Sequence, residues 1–209
     1  MEPGSLGILG GTFNPPHLGH LAIARDALRE LTLDRVVLMP ARMPPHKPVE
    51  RDPGSAARLA MCRLLVAGSE DVSVCAHELE RDGPSYTVDT LGAIHASDPD
   101  AELTFIVGAD TAATLPSWRD PRRLLELARL AVAARSGTDR RGVLQALAPL
   151  APAQGRVRFL HTPVIEISSS LARDRAAAEE PLAPLVGEGV AGYIVEHGLY
   201  RARAREASR

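Results

Sequence analysis

A short apolar run leads into the stretch that decides the fold: Gly10-Gly11-Thr12-Phe13-Asn14-Pro15-Pro16-His17-Leu18-Gly19-His20. The apolar run at residues 6–9 predicts a buried strand, and the periodicity that begins at Leu18 predicts a helix over residues 18–31. The two glycines let backbone N–H groups approach a ligand closely. The start of a helix adds free N–H donors and a partial positive charge, and both favour phosphate. The segment therefore predicts a phosphate-binding turn between the first strand and the first helix.

Two histidines stand at the predicted start of that helix. His17 and His20 are three residues apart, so both face one side of the first turn. Imidazole donates hydrogen bonds to phosphate oxygens without having to be charged. A pair of such donors suits the negative charge that grows as a pyrophosphate group leaves. Two histidines alone are also typical of helix capping or of an ordinary surface, and it is their combination with Thr12 and the glycine pair that favours function.

The same architecture returns near the carboxyl end of the chain, in Val164-Ile165-Glu166-Ile167-Ser168-Ser169-Ser170-Leu171-Ala172-Arg173. An apolar segment again runs into a predicted helix start, here with three serines. Serine is a favoured N-cap residue, and its hydroxyl and backbone N–H also hold phosphate. Arg173 lies one turn into the helix and offers a fork of donors with a permanent charge. A plain serine cap with a surface arginine explains the segment alone equally well, but its pairing with the histidine segment favours a second phosphate clamp.

Along the rest of the chain, short apolar runs alternate with stretches of helical periodicity. Strands are predicted over residues 35–39, 72–76, 103–107, 130–134 and 157–160, and helices over residues 56–66, 86–95, 121–127, 140–147 and 188–196, with one more after Ser168. This alternation predicts an α/β fold, a Rossmann-like, doubly wound, mostly parallel sheet with helices on both faces. Ligands of such sheets bind at the carboxyl ends of the strands. We predict a single domain over residues 1–209, with a frayed, disordered tail at residues 201–209.

Composition argues against several classes of protein. Nucleic-acid binders usually have an excess of basic residues and several aromatic side chains for stacking. This chain has a formal net charge of −2 and only 3% aromatic residues, so it shows neither feature. No run of about 20 apolar residues occurs, so we expect no membrane span. Cys62 and Cys75 have neither metal-ligand nor redox spacing, and in an enzyme they are typical of reduced thiols in a cytoplasm.

Further segments supply candidates for recognition of the substrates. Pro44-Pro45-His46-Lys47 is a stiff loop after the second strand, and Lys47 can meet an acceptor phosphate. Asp110 is predicted to follow the end of the fourth strand, where its carboxylate can accept from a ribose hydroxyl, while Gly108 leaves room for a flat base. Trp118 can stack on an aromatic ring, although a core position is the ordinary alternative for a tryptophan.

The two phosphate segments resemble the motifs of the nucleotidyltransferase superfamily. Residues 17–20 resemble its His-x-Gly-His core, and residues 167–173 resemble the Ile-Ser-Ser-Ser-x-x-Arg motif of its adenylyltransferases. Class I aminoacyl-tRNA synthetases carry a Lys-Met-Ser-Lys-Ser loop instead, and this sequence has none. From Gly10 to Arg173, and again in the ending at residues 193–200, the sequence closely resembles the bacterial nicotinate-mononucleotide adenylyltransferases.

The resemblance implies an enzyme that transfers AMP from ATP to nicotinate mononucleotide, releasing pyrophosphate and forming nicotinate adenine dinucleotide for NAD biosynthesis. The acceptor phosphate is ionised at neutral pH, so we expect direct in-line attack with no general base and no covalent intermediate. We expect Mg²⁺ to arrive on the ATP phosphates, bound chiefly through their oxygens and water.

The resemblance also assigns site residues. The catalytic set is His17, His20 and Arg173. The set that binds ATP is Gly10, Gly11, Thr12, Phe13, Gly108, Asp110, Ile167, Ser168, Ser169 and Arg173. The set that binds the mononucleotide is Asn14, Arg42, His46, Lys47, Thr87, Trp118 and Arg135. In the family, the position of Trp118 stacks on the nicotinate ring and the region of Thr87 meets its carboxylate. No residue is assigned to a metal.

The sequence departs from the family pattern at four positions. Asn14 stands where aspartate is usual, which removes a negative charge beside the phosphate turn. Ala172 replaces a larger aliphatic residue, and Ser136 replaces a proline, which makes that loop less rigid. Arg42 stands where a neutral polar residue is usual, and it either adds a phosphate contact or is solvated.

Two other interpretations stay open at this stage. A related adenylyltransferase acting on nicotinamide mononucleotide or phosphopantetheine would use the same chemistry, and amide and acid differ by a few hydrogen bonds near Thr87. A non-catalytic nucleotide-sensing module is the alternative from another class. Intact His17, His20 and Arg173 argue against a sensor, which could lose those donors and keep Gly108 and Asp110. Oligomeric state is left open.

Overall fold

The computed structural model describes residues 4–43, 50–134, 139–151, 155–161 and 167–201. These residues form one sheet of β1 (Ser5–Gly11), β2 (Arg35–Pro40), β3 (Val72–Val74), β4 (Glu102–Gly108), β5 (Ala128–Ala134) and β6 (Val157–His161). The strands lie in the order β3-β2-β1-β4-β5-β6, and all five pairings are parallel. This is the order of the doubly wound Rossmann sheet, so the predicted fold class is confirmed.

The helices that the structure describes are α1 (Leu18–Leu31), α2 (Ser55–Val66), α3 (His77–Glu80), α4 (Thr87–Ser97), α5 (Ala109–Thr114), α6 (Pro121–Leu127), α7 (Arg140–Leu147), α8 (Ser169–Ala177), α9 (Ala183–Val186) and α10 (Glu188–Glu196). Three of them begin at a side-chain cap. Asp120, Asp139 and Ser168 each accept a hydrogen bond from a backbone N–H three residues later. Such caps satisfy donors that the first helical turn leaves unpaired, which fixes where these helices start.

Side chains of the central strands alternate between two apolar cores, one on each face of the sheet. Ile8 pairs in register with Phe105, and both belong to the core under α4, α5, α6 and α7. Their neighbours Leu9 and Ile106 belong to the other core, under α1, α2, α8 and α10. Burial on both faces explains why β4 reads as a continuous apolar run over residues 103–107. The helices therefore cover both faces, as predicted.

Some elements differ from the prediction. The third strand ends at Val74 rather than at residue 76. Asp110 follows the end of the fourth strand as predicted, and it lies in the first turn of α5, a helix that was not predicted. The helices α3, α5 and α9 were not predicted, since four to six residues are too few to show helical periodicity. The predicted tail lies outside the described residues from position 202 onward.

None of the helices in the described part of the chain has both the length and the apolar character needed to cross a membrane.

Candidate active site

A cavity of about 580 Å³ opens at the carboxyl ends of the central strands. Its walls include Gly10 and Gly11 at the end of β1, Met39 near the end of β2 and Val107 near the end of β4. The expected binding edge of a doubly wound sheet therefore holds the cavity. The cavity extends from the phosphate turn at Thr12 to the first turns of α4 and α5 and to Trp118.

The two glycines are required by close packing behind the turn. A Cβ atom at Gly10 would stand 3.0 Å from Cε2 of Phe105, and one at Gly11 would stand 3.1 Å from the ring of Phe13. Phe13 itself adopts a left-handed backbone with φ of 51° and is buried. Larger residues at either glycine would push these rings, so the glycines let the backbone of the turn approach the cavity.

His17 and His20 lie at the amino end of α1 as one stacked pair. Their ring centroids are 3.7 Å apart, with 28° between the planes. The backbone N–H of His17 donates to Nδ1 of His20 at 3.1 Å. Because Nδ1 is thereby an acceptor, the proton of the neutral imidazole is on Nε2. The helix start thus presets His20 as an Nε2–H donor, the form needed to meet a phosphate oxygen.

The serine segment joins the phosphate turn, as the paired half-sites predict. Ser168 caps α8, and Ser169 Oγ donates to the carbonyl of Pro15 at 2.8 Å. The guanidinium of Arg173 donates from Nη1 to the carbonyl of Asn14 at 2.8 Å and from Nη2 to Ser170 Oγ at 3.1 Å. The bonds from Ser169 to Pro15 and from Arg173 to Asn14 each span more than 150 positions of sequence. Ile167 precedes the cap and packs against the core beneath.

Arg173 is 7% exposed, and its Nε is buried with no hydrogen-bond partner among the described atoms. Glu50 Oε2 stands 3.6 Å from Nη2, and this carboxylate is mostly exposed. In the structure this side chain braces the phosphate turn, and its predicted part in a phosphate clamp stays a prediction. Its charge therefore acts on the turn from behind, through a hydrogen bond to a backbone carbonyl.

Asn14 is braced at both ends of its amide group. Nδ2 donates to the carbonyl of Glu50 at 2.7 Å, and Oδ1 accepts from the hydroxyl of Tyr200 at 2.7 Å. Burial raises the pKa of Tyr200 well above its ordinary value, so the phenol stays protonated and remains a donor. The side chain of Asn14 is 5% exposed. This geometry corrects the predicted contact with the mononucleotide, because the amide holds the turn in place and does not face the cavity.

On the opposite wall, Trp118 lies at the cavity and not within the core. Its Nε1 donates to Thr114 Oγ1 at 3.1 Å, and its ring meets Phe105 edge-to-face at a centroid distance of 6.1 Å. Thr87, the first residue of α4, and Asp110 also line the cavity. A Cβ atom added to Gly108 would meet no protein atom within 4 Å, so the space that the sequence predicts there is open.

Of the remaining predicted residues, Arg42 is described, and it is not among the residues that line the cavity. Arg42 Nη1 donates to the carbonyl of Arg81 at 2.6 Å and to Asp82 Oδ1 at 2.8 Å, so this guanidinium ties the chain after β2 to the segment after α3. The side chain of Arg42 is exposed, in agreement with the solvated alternative, and it also makes this surface ion pair. The predictions for His46, Lys47 and Arg135, and the departure at Ser136, lie outside the described residues.

The sequence interpretation missed two buried charged residues at the active-site edge of the sheet, Arg58 and Glu78. Arg58 is 0% exposed and lies on the same face of α2 as Met61 and Cys62. A charge at three- and four-residue spacing from apolar residues is the signal that could have revealed it. Glu78 is a wall residue of the cavity and accepts from Thr90 Oγ1 at 2.9 Å. It lies in α3, which is too short to be recognised from periodicity.

The buried carboxyl of Glu78 gives a stability test. Burial raises its pKa above the ordinary value for glutamate, and hydrogen bonds from Thr90 and Ser85 offset this only in part. The folded state therefore binds the proton more tightly than the unfolded state, so the contribution to stability is present below the ordinary glutamate pKa and is lost as pH rises through the raised value. We expect Glu78→Gln to gain stability relative to the parent protein between pH 4 and pH 8.

Urea unfolding of both proteins across this range measures the effect. Glu80→Gln is the matched control, since Glu80 is exposed on the same helix. Parallel curves for the parent and Glu78→Gln would contradict the predicted shift.

Comparison with known proteins agrees with this geometry. Residues 8–175 match the family described as cytidylyltransferase-like. A protein of Symbiobacterium thermophilum, named "probable nicotinate-nucleotide adenylyltransferase", is 41% identical over 194 residues, which cover 92% of this chain and 93% of the relative. A protein of Roseiflexus with the same name is 42% identical over 202 residues, 96% of this chain and 100% of the relative. The fold is shared with the nicotinic acid mononucleotide adenylyltransferase of Plasmodium falciparum complexed with NaAD, at a TM-score of 0.74, 18% identity and coverage of 94% and 97%.

A doubly wound parallel sheet with two phosphate segments joined at one edge defines a nucleotidyltransferase. The family match over residues 8–175 and the identity of about 40% with the two bacterial relatives, over nearly the whole chain, specify the family within this class. The chain belongs to the cytidylyltransferase-like family and, within it, to the nicotinate-nucleotide adenylyltransferases.

Proposed function

We propose that this protein transfers AMP from ATP to nicotinate mononucleotide, forming nicotinate adenine dinucleotide and pyrophosphate. The observation that carries the proposal is the junction of the two phosphate segments at the edge of the cavity, through Ser169 to Pro15 and Arg173 to Asn14. Trp118 lies on the wall of the same cavity. One pocket thus offers a phosphate turn and an aromatic wall, which are the two features that a nucleotide and a pyridine ring require.

The arrangement supports a direct displacement. An oxygen of the acceptor phosphate forms a bond to the α-phosphorus of ATP, and the bond from that phosphorus to the pyrophosphate oxygen breaks, with the electron pair leaving on pyrophosphate. The acceptor oxygen is already ionised, so no group on the protein has to remove a proton. Catalysis then consists of positioning and of stabilising the charge on the leaving group. The Nε2–H of His20, preset by its bond from His17, is the donor best prepared for that charge.

Mg²⁺ is part of the proposal as a companion of ATP. The described side chains around the phosphate turn are imidazole, guanidinium and hydroxyl groups, a set that suits phosphate oxygens better than it suits a metal ion. Mg²⁺ prefers oxygen ligands and keeps several of its waters. We therefore expect the triphosphate and water to supply the ligands of Mg²⁺. The protein groups would then bind the phosphate oxygens that do not bind the metal.

A product assay tests the proposal. Purified protein receives ATP and Mg²⁺ with nicotinate mononucleotide, nicotinamide mononucleotide or phosphopantetheine in parallel reactions, and both the adenylylated product and pyrophosphate are followed. We expect strong preference for the nicotinate substrate. Equal use of both mononucleotides would retain the chemistry and overturn the acid specificity. Folded protein that binds ATP and yields no pyrophosphate with any acceptor would overturn the enzymatic proposal in favour of a nucleotide sensor.

Replacing Trp118 with alanine is expected to weaken the binding of the acceptor, nicotinate mononucleotide, and not the binding of ATP. Stacking of a base on an aromatic side chain is worth about 1–3 kcal/mol, which corresponds to roughly 5- to 150-fold in affinity. We expect the KM for nicotinate mononucleotide to rise by about 10- to 100-fold, with the KM for ATP nearly unchanged. Trp118→Phe keeps a ring and should restore most of the loss. An equal rise of both KM values would contradict a stacking role, because it would indicate a general distortion of the cavity.

A further inference from the structure

A fully enclosed arginine lies beneath the active-site edge of the sheet. Arg58 projects from the first turns of α2 and is 0% exposed, among apolar neighbours such as Met61 and Cys62. A buried charge is costly unless all its donors are engaged. Four hydrogen bonds from its guanidinium group offset the cost of burying Arg58.

The partners of Arg58 come from the two strand ends that frame the cavity. Nη1 donates to the carbonyl of Thr12 at 2.9 Å and to the carbonyl of Ala41 at 2.6 Å. Nη2 donates to the carbonyl of Arg42 at 3.2 Å, and Nε donates to Asp52 Oδ1 at 3.1 Å. Asp52 is partly exposed and balances the charge. The guanidinium thus holds one carbonyl of the turn after β1 and two carbonyls of the chain after β2.

Arg58 links the ends of β1 and β2 next to their last backbone hydrogen bond. β1 and β2 pair in parallel up to Gly11 and Pro40, and one more backbone bond follows, from the N–H of Ala41 to the carbonyl of Gly11 at 2.9 Å. At this end of the two strands, Thr12 and Ala41 both line the cavity. A single atom, Nη1, joins the carbonyls of Thr12 and Ala41, and the planar fork of the arginine extends this link through Nη2 to the carbonyl of Arg42. Arg58 therefore fixes the distance between the phosphate turn and the first residues of the chain after β2.

We propose that Arg58 is a positioning residue. It holds the turn after β1, which is the half of the site for the AMP donor, in a fixed position relative to the chain after β2, which is the half for the acceptor. This inference rests on the proposed adenylyl transfer for the identity of the two halves. Displacement requires the reacting atoms at about 3–3.5 Å, and a misplacement of about 1 Å costs on the order of 100-fold in rate. Arg58 touches neither substrate in this role. Its loss should therefore affect the joint alignment of the two substrates more than the binding of either one.

The test separates turnover from binding. Arg58→Met and Arg58→Lys are compared with Arg63→Met, whose arginine is exposed on the same helix. The kcat is measured at saturating substrates, and titration calorimetry gives the Kd of MgATP alone and of nicotinate mononucleotide alone. We expect Arg58→Met to lower kcat by about 10- to 100-fold while each Kd changes less than about 3-fold. Arg58→Lys, which retains the charge but loses the fork, should lie between, and Arg63→Met should match the parent protein.

Other outcomes overturn the inference. A folded Arg58→Met protein with the parent kcat would mean that the arginine does not set the alignment. A lower melting temperature with unchanged kcat would reduce it to a purely structural residue, and a kcat loss matched by equal weakening of each Kd would mean that it shapes each half separately. If Arg58→Met does not fold, the same split of kcat from Kd is required of Arg58→Lys. Parent protein without transferase activity would overturn the proposed function instead, whatever the variants do.

Discussion

Replacing His20 with alanine is expected to lower kcat by about 10²- to 10³-fold, the typical cost of losing one preorganised donor to developing negative charge. The donor is preorganised because its Nδ1 accepts the backbone N–H of His17 at 3.1 Å, which leaves the proton on Nε2. Stacking on His17 at 3.7 Å and the edge contact with Phe13 at 4.9 Å hold the ring in one orientation. Little reorganisation is then needed as the pyrophosphate bond breaks.

The measurement is steady-state formation of pyrophosphate at saturating ATP and nicotinate mononucleotide. Since alanine also removes the acceptor for the His17 N–H, part of the loss could come from a frayed helix start. His20→Asn separates the two effects, because its amide oxygen can still accept that bond while its reach toward phosphate is shorter. We expect both variants to lose most of kcat, with near-parent melting temperatures. His95→Ala, on α4, serves as the control histidine and should leave turnover unchanged. Near-normal turnover by His20→Ala would remove this residue from the catalytic set.

Much of the fold was readable from local sequence. The helices over residues 18–31, 121–127, 140–147 and 188–196 have the predicted bounds, because each combines periodic apolar residues with a clear start or stop. The parallel sheet followed from the alternation of apolar runs with helices. The pairing of the histidine and serine segments was also predicted, since both lead an apolar run into a helix start with groups that suit phosphate.

Long-range side-chain contacts could not be predicted in the same way. Asn14 and Tyr200 are 186 residues apart, and neither carries a local pattern that names the other. Without that contact, Asn14 seemed to be a ligand residue with an altered charge, whereas its amide is committed to Tyr200 and the carbonyl of Glu50. Arg58 was missed for a related reason. Three of its four acceptors are backbone carbonyls, and a carbonyl acceptor leaves no trace in the sequence.

These contacts show how the phosphate turn keeps its shape. The carbonyls of residues 12, 14 and 15 are engaged by Arg58, Arg173 and Ser169 respectively. With its carbonyls drawn toward the protein side, the turn is held by donors that come from α2 and α8. The turn is thus braced from behind by groups that do not need to touch a nucleotide, and its geometry can be set before substrate binds.

Replacing Arg173 is expected to affect activity and stability together. Its Nη1 donates to the carbonyl of Asn14 at 2.8 Å and its Nη2 to Ser170 Oγ at 3.1 Å. Methionine at this position leaves that buried carbonyl without its donor, which costs about 1–3 kcal/mol of unfolding free energy. It also removes a permanent positive charge from the phosphate turn. We expect Arg173→Met to lower kcat/KM for ATP by about 10²- to 10³-fold, because the phosphate turn loses the bond that sets its geometry and the site loses a nearby positive charge.

Comparison of three variants separates the charge of Arg173 from its geometry. Arg173→Lys keeps the charge but loses the fork that reaches the Asn14 carbonyl and Ser170 at once, so it should retain binding better than turnover. Arg175→Met, on the same helix, is the control and should behave like the parent protein. Urea unfolding and steady-state kinetics are measured on all three variants. If Arg173→Lys matched the parent in kcat, charge alone would suffice and the fork would be irrelevant to catalysis. If Arg173→Met lost stability but kept kcat/KM, the arginine would only brace the turn, and the stabilisation of the leaving pyrophosphate would then depend on the histidine pair.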